Sequence, residues 1–169
     1  LQAFFNRRIQ TMLKKYNRTM IGWEEITHET SETLSIDKDA VIQTWLNRKS
    51  LQQNLQAGFH GIMSNGYYLD NLQSSLDHYN TDPIRDNELH SLQETQQQRM
   101  LGGEMCMWTE YVSENSIDSR LWPRSFAIGE RFWSLSTSTN QKSLYERLFR
   151  MNHLVTKMPI STTFRKFNS

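Results

Sequence analysis

Four short runs of this chain set an aromatic residue close to a carboxylate: MIGWEE around Trp23, VIQTW ending at Trp45, GYYLD with Tyr68 and Asp70, and CMWTE with Trp108 and Glu110. Pyranose rings have apolar faces that stack on aromatic side chains and hydroxyls that donate to carboxylates. This mixture therefore suits a sugar better than a nucleotide or a metal. A lone tryptophan at a strand tip is ordinary core packing, because it buries a large area and needs one partner for its indole N–H. The set changes that balance, since Asp70 and Glu110 each follow two residues after an aromatic. Carboxylates there are costly unless they are solvated, paired or binding something.

For these residues to act together, strands must carry them. Trp23, Trp45 and Tyr68 lie 22 and 23 residues apart and Trp108 follows 40 residues later, a rhythm that predicts consecutive β/α units and a parallel sheet. In such sheets functional groups collect at the C-terminal strand ends. Side-chain alternation predicts one face carrying Ile21, Trp23 and Glu25, then Val41, Gln43 and Trp45, then Ser64, Tyr68 and Asp70, then Cys106, Trp108 and Glu110. Met105 and Met107 then point towards covering helices. Adjacent Glu24 and Glu25 turn to opposite faces, so they form no acid/base pair, and Glu24 is assigned no role.

The intervening segments read as helices and loops. Leu1, Phe4, Phe5, Ile9, Met12, Leu13 and Tyr16 recur at helical spacing, predicting an amphipathic helix over 1–17. THETSETLSIDKD has loop composition. Leu51 and Leu55 predict a short helix that Gly58 ends in a left-handed conformation. FHGIMSNGYYLD reads as the third strand, NELHSLQETQQQ as a helix, and EMCMW as a fourth strand introduced by Gly102 and Gly103. Pro123 marks a helix start, and SLYERLFRMNHLV predicts a last helix. Asp118, Arg120 and Arg124 are expected to serve as capping or ion-pair groups.

Composition narrows the function classes. Net charge is +1 and the basic residues are scattered, so no footprint for nucleic acid is present. No stretch reaches the roughly 20 apolar residues of a membrane helix. The five histidines, His28, His60, His78, His90 and His153, lack zinc-type spacing and are expected on the surface or in ordinary hydrogen bonds. No metal or cofactor is expected. The single cysteine, Cys106, reads as a small buried apolar residue and excludes an intrachain disulfide among these residues. With 169 residues against roughly 250 for a complete (β/α)₈ barrel, the chain is expected to be part of a longer protein.

Taken together, MIGWEEI, DAVIQTW, GYYLD, GGEMCMWTEYV and DSRLWPRSFAIGERFWS resemble the second half of the catalytic barrel of family 20 glycoside hydrolases, the β-N-acetylhexosaminidases. The likeness runs from Leu1 to about Ser134, with five blocks in the family's order. It implies an α/β fold, the C-terminal half of a (β/α)₈ TIM barrel, in which 1–169 form one partial catalytic domain lacking the upstream β/α units. The blocks resemble the fifth to eighth units.

The resemblance also implies roles. Trp23, Trp45 and Trp108 are similar to the tryptophans walling the pocket around the substrate's 2-acetamido group, and Tyr68 resembles the tyrosine that bonds the acetamido oxygen. Asp70 and Glu110 resemble the carboxylates that grip the 6- and 4-hydroxyls. The implied chemistry is substrate-assisted retention, in which the acetamido oxygen attacks C1. The family's Asp-Glu pair, with its general acid, and an arginine that binds ring hydroxyls are not among these residues. General acid catalysis is worth roughly 10²- to 10⁴-fold, so this segment alone is expected to be nearly inactive. Tyr67 and Gly129 depart from the family pattern in minor ways. The implied partners are an N-acetylhexosamine oligosaccharide and either the missing half of the barrel or a second copy, with no nucleic acid and no membrane. The implied compartment is periplasmic, secreted or lysosomal. Two other readings of the same residues are a catalytically silent carbohydrate-binding remnant and an inactive proteolytic fragment.

Overall fold

A computed structural model describes residues 1–27, 36–83, 91–135 and 140–156. His28, His90, most of the polar THETSETLSIDKD segment and the start of NELHSLQETQQQ lie outside the described residues. The chain divides into two compact units, Leu1–Asn65 with Pro83–Glu104 and Gly66–Asp82 with Met105–Ser169.

The first unit holds a parallel four-stranded sheet of β1 (Ile21–Trp23), β2 (Val41–Thr44), β3 (His60–Met63) and β4 (Met100–Gly103), in the order β1-β2-β3-β4. Sequential parallel neighbours require a crossover between each pair, and α2 (Arg48–Gln56) supplies the one between β2 and β3. Asn47 caps α2 by accepting the Ser50 amide at 3.0 Å. Gly58 ends it at φ +96°, the left-handed conformation expected of it.

Register separates the two faces of the sheet. Ile42 lies opposite Gly61 and Thr44 opposite Met63, and this face is buried: Ile42, Thr44 and Met63 are fully enclosed, as are Leu51 and Leu55 of α2. Each such apolar side chain removed from water contributes about 1.5–3 kcal/mol. A Cβ on Gly61 would stand 2.7 Å from Leu51 Cδ1 and 3.2 Å from Leu55 Cδ2, so glycine is what lets α2 settle on β3. Met20, Ile36, Ala40, Ile42 and Phe59 form the core beside it, with Leu13 and Ile26 packed against it. The opposite face carries Ile21 and Trp23 beside Val41 and Gln43, as alternation predicts.

Helix α1 (Gln2–Lys15) forms where its periodicity predicts, but it docks by a different face. Ala3, Asn6 and Gln10 are buried while Phe4, Phe5 and Met12 are about half exposed. Gln10 explains the orientation. Its amide donates to the Asp37 carbonyl at 3.2 Å and Asp39 Oδ1 at 3.0 Å, and its oxygen accepts the Asp37 amide at 2.8 Å. Satisfying that turn's backbone holds the polar stripe inward.

Two strands differ from expectation. β3 stops at Met63, and Tyr68 lies beyond it in an isolated bridge to Cys106. β4 is MLGG rather than EMCMW, and Met105 is 43% exposed instead of facing a helix. Gly102 (φ +137°) and a register shift between Gly61 and Ile62 accompany that irregular pairing. Between β3 and β4, α4 is a single turn, Glu94–Gln97, shorter than the predicted helix.

The second unit packs α3 (Ser75–Asn80), α5 (Ile117–Leu121), α6 (Arg124–Trp133) and α7 (Leu144–Thr156). Ser74 and Asp77 form a capping box at the start of α3. Tyr79, Ala127, Leu144 and Leu148 make the core. Across it, Arg147 forks onto Glu130, with Nη2 at 2.6 Å from Oε1 and Nε at 2.9 Å from Oε2, and Tyr79 donates its hydroxyl to Glu130 at 2.8 Å. Those hydrogen bonds from Arg147 hold the Glu130 carboxyl below its ordinary range. Tyr67, fully buried, meets Phe132 edge-on at 4.7 Å and donates to the Thr81 carbonyl at 2.8 Å, so it is a packing residue.

Candidate functional site

In the first unit, the chain leaves β2 at Thr44 and presents Trp45 with 38% of its surface exposed. Four hydrogen bonds to three side chains hold this tip. The side-chain amide of Asn65 donates to the Trp45 carbonyl at 3.1 Å and the Leu46 carbonyl at 3.0 Å. The Leu46 amide donates to Glu24 Oε1 at 2.8 Å, and the Trp45 indole Nε1–H donates to Glu25 Oε1, also at 2.8 Å. Glu24 and Glu25 do not continue β1. They open a 3₁₀ turn, Glu24–Thr27, which lets neighbouring carboxylates serve one tip from two directions. Glu24 is fully buried and has a structural role that the sequence did not suggest. Trp23 ends β1 half-buried, opposite Gln43. Gln43 in turn donates to the Ser64 hydroxyl at 2.8 Å.

In the second unit, the segment holding Tyr68 and Asp70 meets the one holding Trp108 at an isolated parallel bridge. Cys106 N–H donates to the Tyr67 carbonyl at 3.0 Å and Leu69 N–H to the Cys106 carbonyl at 2.8 Å. This places Tyr68 beside Cys106. Two residues further on, the Trp108 amide donates to Asp70 Oδ1 at 3.3 Å. Tyr68 and Cys106 are half-buried, Asp70 is 8% exposed, and Trp108 is 46% exposed. Glu110 is exposed. Trp108 and Asp70 therefore touch through a backbone group, and nearly half of the tryptophan's surface is exposed. The structure puts Trp23 and Trp45 in the first unit and Tyr68, Asp70, Trp108 and Glu110 in the second.

Arg124, read from the sequence as a cap or ion-pair group, instead braces the loop behind Asp70. At the start of α6 it is 8% exposed. Its guanidinium donates to the carbonyls of Leu69, Asn71 (2.6 Å), Gln73 (3.3 Å) and Arg120. Arg120 adds a bond to the Asp70 carbonyl at 3.1 Å. Burial lowers the pKa of Arg124, neighbouring Arg120 lowers it further, and Asp70 acts against both. A guanidinium is the one side chain with enough donors in a fixed fork to gather these carbonyls. The sequence held one hint of this, an arginine directly after Pro123 at a helix start, but burial is what distinguishes a brace from a cap.

Among the described residues no group of three or more His, Cys, Asp or Glu could hold a cation. His78 is fully buried with Nδ1 2.8 Å from the Gly66 carbonyl, an ordinary hydrogen bond as expected. Cys106 is half-buried rather than buried. Nor is any described helix long and apolar enough to cross a membrane.

Comparison with known proteins agrees with this architecture. A β-hexosaminidase subunit beta of Entamoeba histolytica is 33% identical over 158 residues, and β-hexosaminidase 1 of Arabidopsis thaliana 35% over 144. These alignments cover 85% and 83% of this chain but 27% and 26% of the relatives, so the chain spans about a quarter of their length. Among solved structures, a Flavobacterium johnsoniae chitobiase superimposes with a TM-score of 0.77 at 33% identity, covering 91% of this chain and 24% of that one. A Vibrio harveyi exo-β-N-acetylglucosaminidase solved with N-acetylglucosamine shares the fold, with a TM-score of 0.72 at 22% identity over 90% of this chain and 26% of its own. The parallel strands and their helices are thus part of a (β/α)₈ barrel. Residues 1–136 match the catalytic domain of glycosyl hydrolase family 20, and the chain belongs to that family.

Proposed function

We propose that this chain is part of a β-N-acetylhexosaminidase that removes terminal non-reducing N-acetylhexosamine residues by substrate-assisted, retaining catalysis. The observation that carries the reading is the pairing of Asp70 with Trp108: a nearly buried carboxylate spends one contact on the tryptophan's amide while the indole beside it is half exposed. A carboxylate has about four acceptor sites, so Asp70 retains capacity for sugar hydroxyls next to an aromatic face. In this reading Trp23, Trp45 and Trp108 contact the 2-acetamido group, Tyr68 donates to its oxygen, and Asp70 and Glu110 take hydroxyls of the ring. Holding the acetamido oxygen against C1 supplies the proximity that makes the substrate its own nucleophile.

The general acid and its aspartate partner come from outside these 169 residues, as do the strands that pair with the sheet edges. In the full-length protein, Trp108→Ala should weaken binding of N-acetylglucosamine far more than binding of glucose, because the indole meets the acetamido group. Equal losses for the two sugars would contradict that assignment. Wild-type protein that leaves an aryl N-acetyl-β-hexosaminide intact would contradict the activity itself.

A further inference from the structure

We infer that Glu25 is a positioning residue for Trp45, locking the indole plane through its N–H, and that it thereby sets recognition of the N-acetylated sugar. The inference rests on the function proposed above and extends it to a residue outside the sugar contacts.

The geometry carries it in two steps. The backbone at Trp45 is already held, because Asn65 ties the Trp45 and Leu46 carbonyls and Glu24 ties the Leu46 amide. What remains free is rotation of the indole about its two side-chain torsions. An indole offers a single donor and no acceptor, so one bond at Nε1 decides the ring's orientation. Trp45 is 38% exposed, and water could satisfy that donor without ordering the ring. Instead a carboxylate from another element, twenty residues upstream, receives it at 2.8 Å. A charged acceptor makes the stronger bond, and the 3₁₀ turn at Glu24–Thr27 is what aims it. An apolar neighbour at position 25 would bury area against the ring but leave its plane undefined.

The test uses the full-length protein labelled with ¹⁵N at tryptophan, with Trp45→Phe identifying the Trp45 indole signal. Glu25→Ala should speed hydrogen exchange at that indole and lower kcat/KM on an aryl N-acetyl-β-glucosaminide by about 3- to 10-fold, the cost of ordering one side chain at binding, with the thermal midpoint unchanged. Glu25→Gln keeps an acceptor of the same length and should restore most of both losses. If Glu25→Ala unfolds the protein, Glu25→Gln alone decides: an indole signal and a kcat/KM near wild type support the role, and loss of both overturns it. Wild-type values in Glu25→Ala, or equal losses in the two variants, overturn it as well. Failure of the wild-type enzyme on the substrate would overturn the proposed function while leaving the exchange measurement to judge the hydrogen bond.

Discussion

Asp70 and Trp108, 38 residues apart, are joined by a hydrogen bond from the tryptophan's backbone N–H to the aspartate's Oδ1 at 3.3 Å. The carboxylate lies two residues beyond the isolated Tyr68–Cys106 bridge, so a side chain joins the two segments where the backbone pairing has ended. In the proposed function one side chain thus has two duties, holding the tryptophan's backbone and offering charge to a sugar.

Those two duties separate under substitution. Asp70→Asn keeps a carbonyl oxygen for the Trp108 amide and loses the charge, so the fold should be retained while affinity for N-acetylglucosamine in the full-length protein falls about tenfold or more, the worth of a charge-assisted bond. Asp70→Ala removes both and should in addition cost about 1–2 kcal/mol of stability. Urea titrations and sugar-binding isotherms on the pair check this. An Asp70→Asn protein with undiminished sugar affinity would mean that Asp70 only holds the loop.

Arg124 supports that loop from behind, through carbonyls at Leu69, Asn71 and Gln73. Arg124→Lys preserves the charge but not the fork, and its three donors leave at least one of the four carbonyls unpaired. The expected cost is about 3 kcal/mol, read as a lower urea midpoint at unchanged slope. Because the loop carries Asp70, sugar affinity should fall in parallel. A lysine variant of wild-type stability would show that water replaces the guanidinium without loss.

These residues also mark what the sequence could and could not convey. Periodicity located α1, α2 and α7, and apolar runs located β1 to β3, because each element must bury a stripe or a face. Which face α1 buries was not legible. Gln10 faces inward because its side-chain amide pairs with both the amide and the carbonyl of Asp37, while Phe4 and Phe5 are left about half exposed. The fourth strand was misplaced for a related reason: its ladder runs through Gly102 and Gly103, which carry no apolar side chain to signal a strand. The aromatic and acidic residues proposed for the site stood out by type and spacing. Glu25 and Arg124 did not, since each acts through a contact with a residue 20 or more positions away.

The buried histidine predicts how the fold responds to acid. His78 is fully enclosed, and burial holds its pKa below the ordinary 6.5, with nearby Arg124 pushing the same way against the Gly66 carbonyl and Asp77. The unfolded chain therefore takes up this proton first. Stability should be level above about pH 6.5 and decline as pH falls below it, continuing until the folded pKa is reached. Glu130 adds a second, lower step. Its carboxyl is held below 4.5 chiefly by hydrogen bonds from Arg147, so its contribution is complete above that pH and is lost as pH falls through the folded value. Thermal melts of the full-length protein between pH 7.5 and 3.5, an experimental window of about four units around these ordinary values, should show both. His78→Asn, which can still donate to the Gly66 carbonyl, should flatten the upper decline alone, and Glu130→Gln the lower one alone. A His78→Asn protein that keeps the decline between about pH 6.5 and 5 would place its origin in another group.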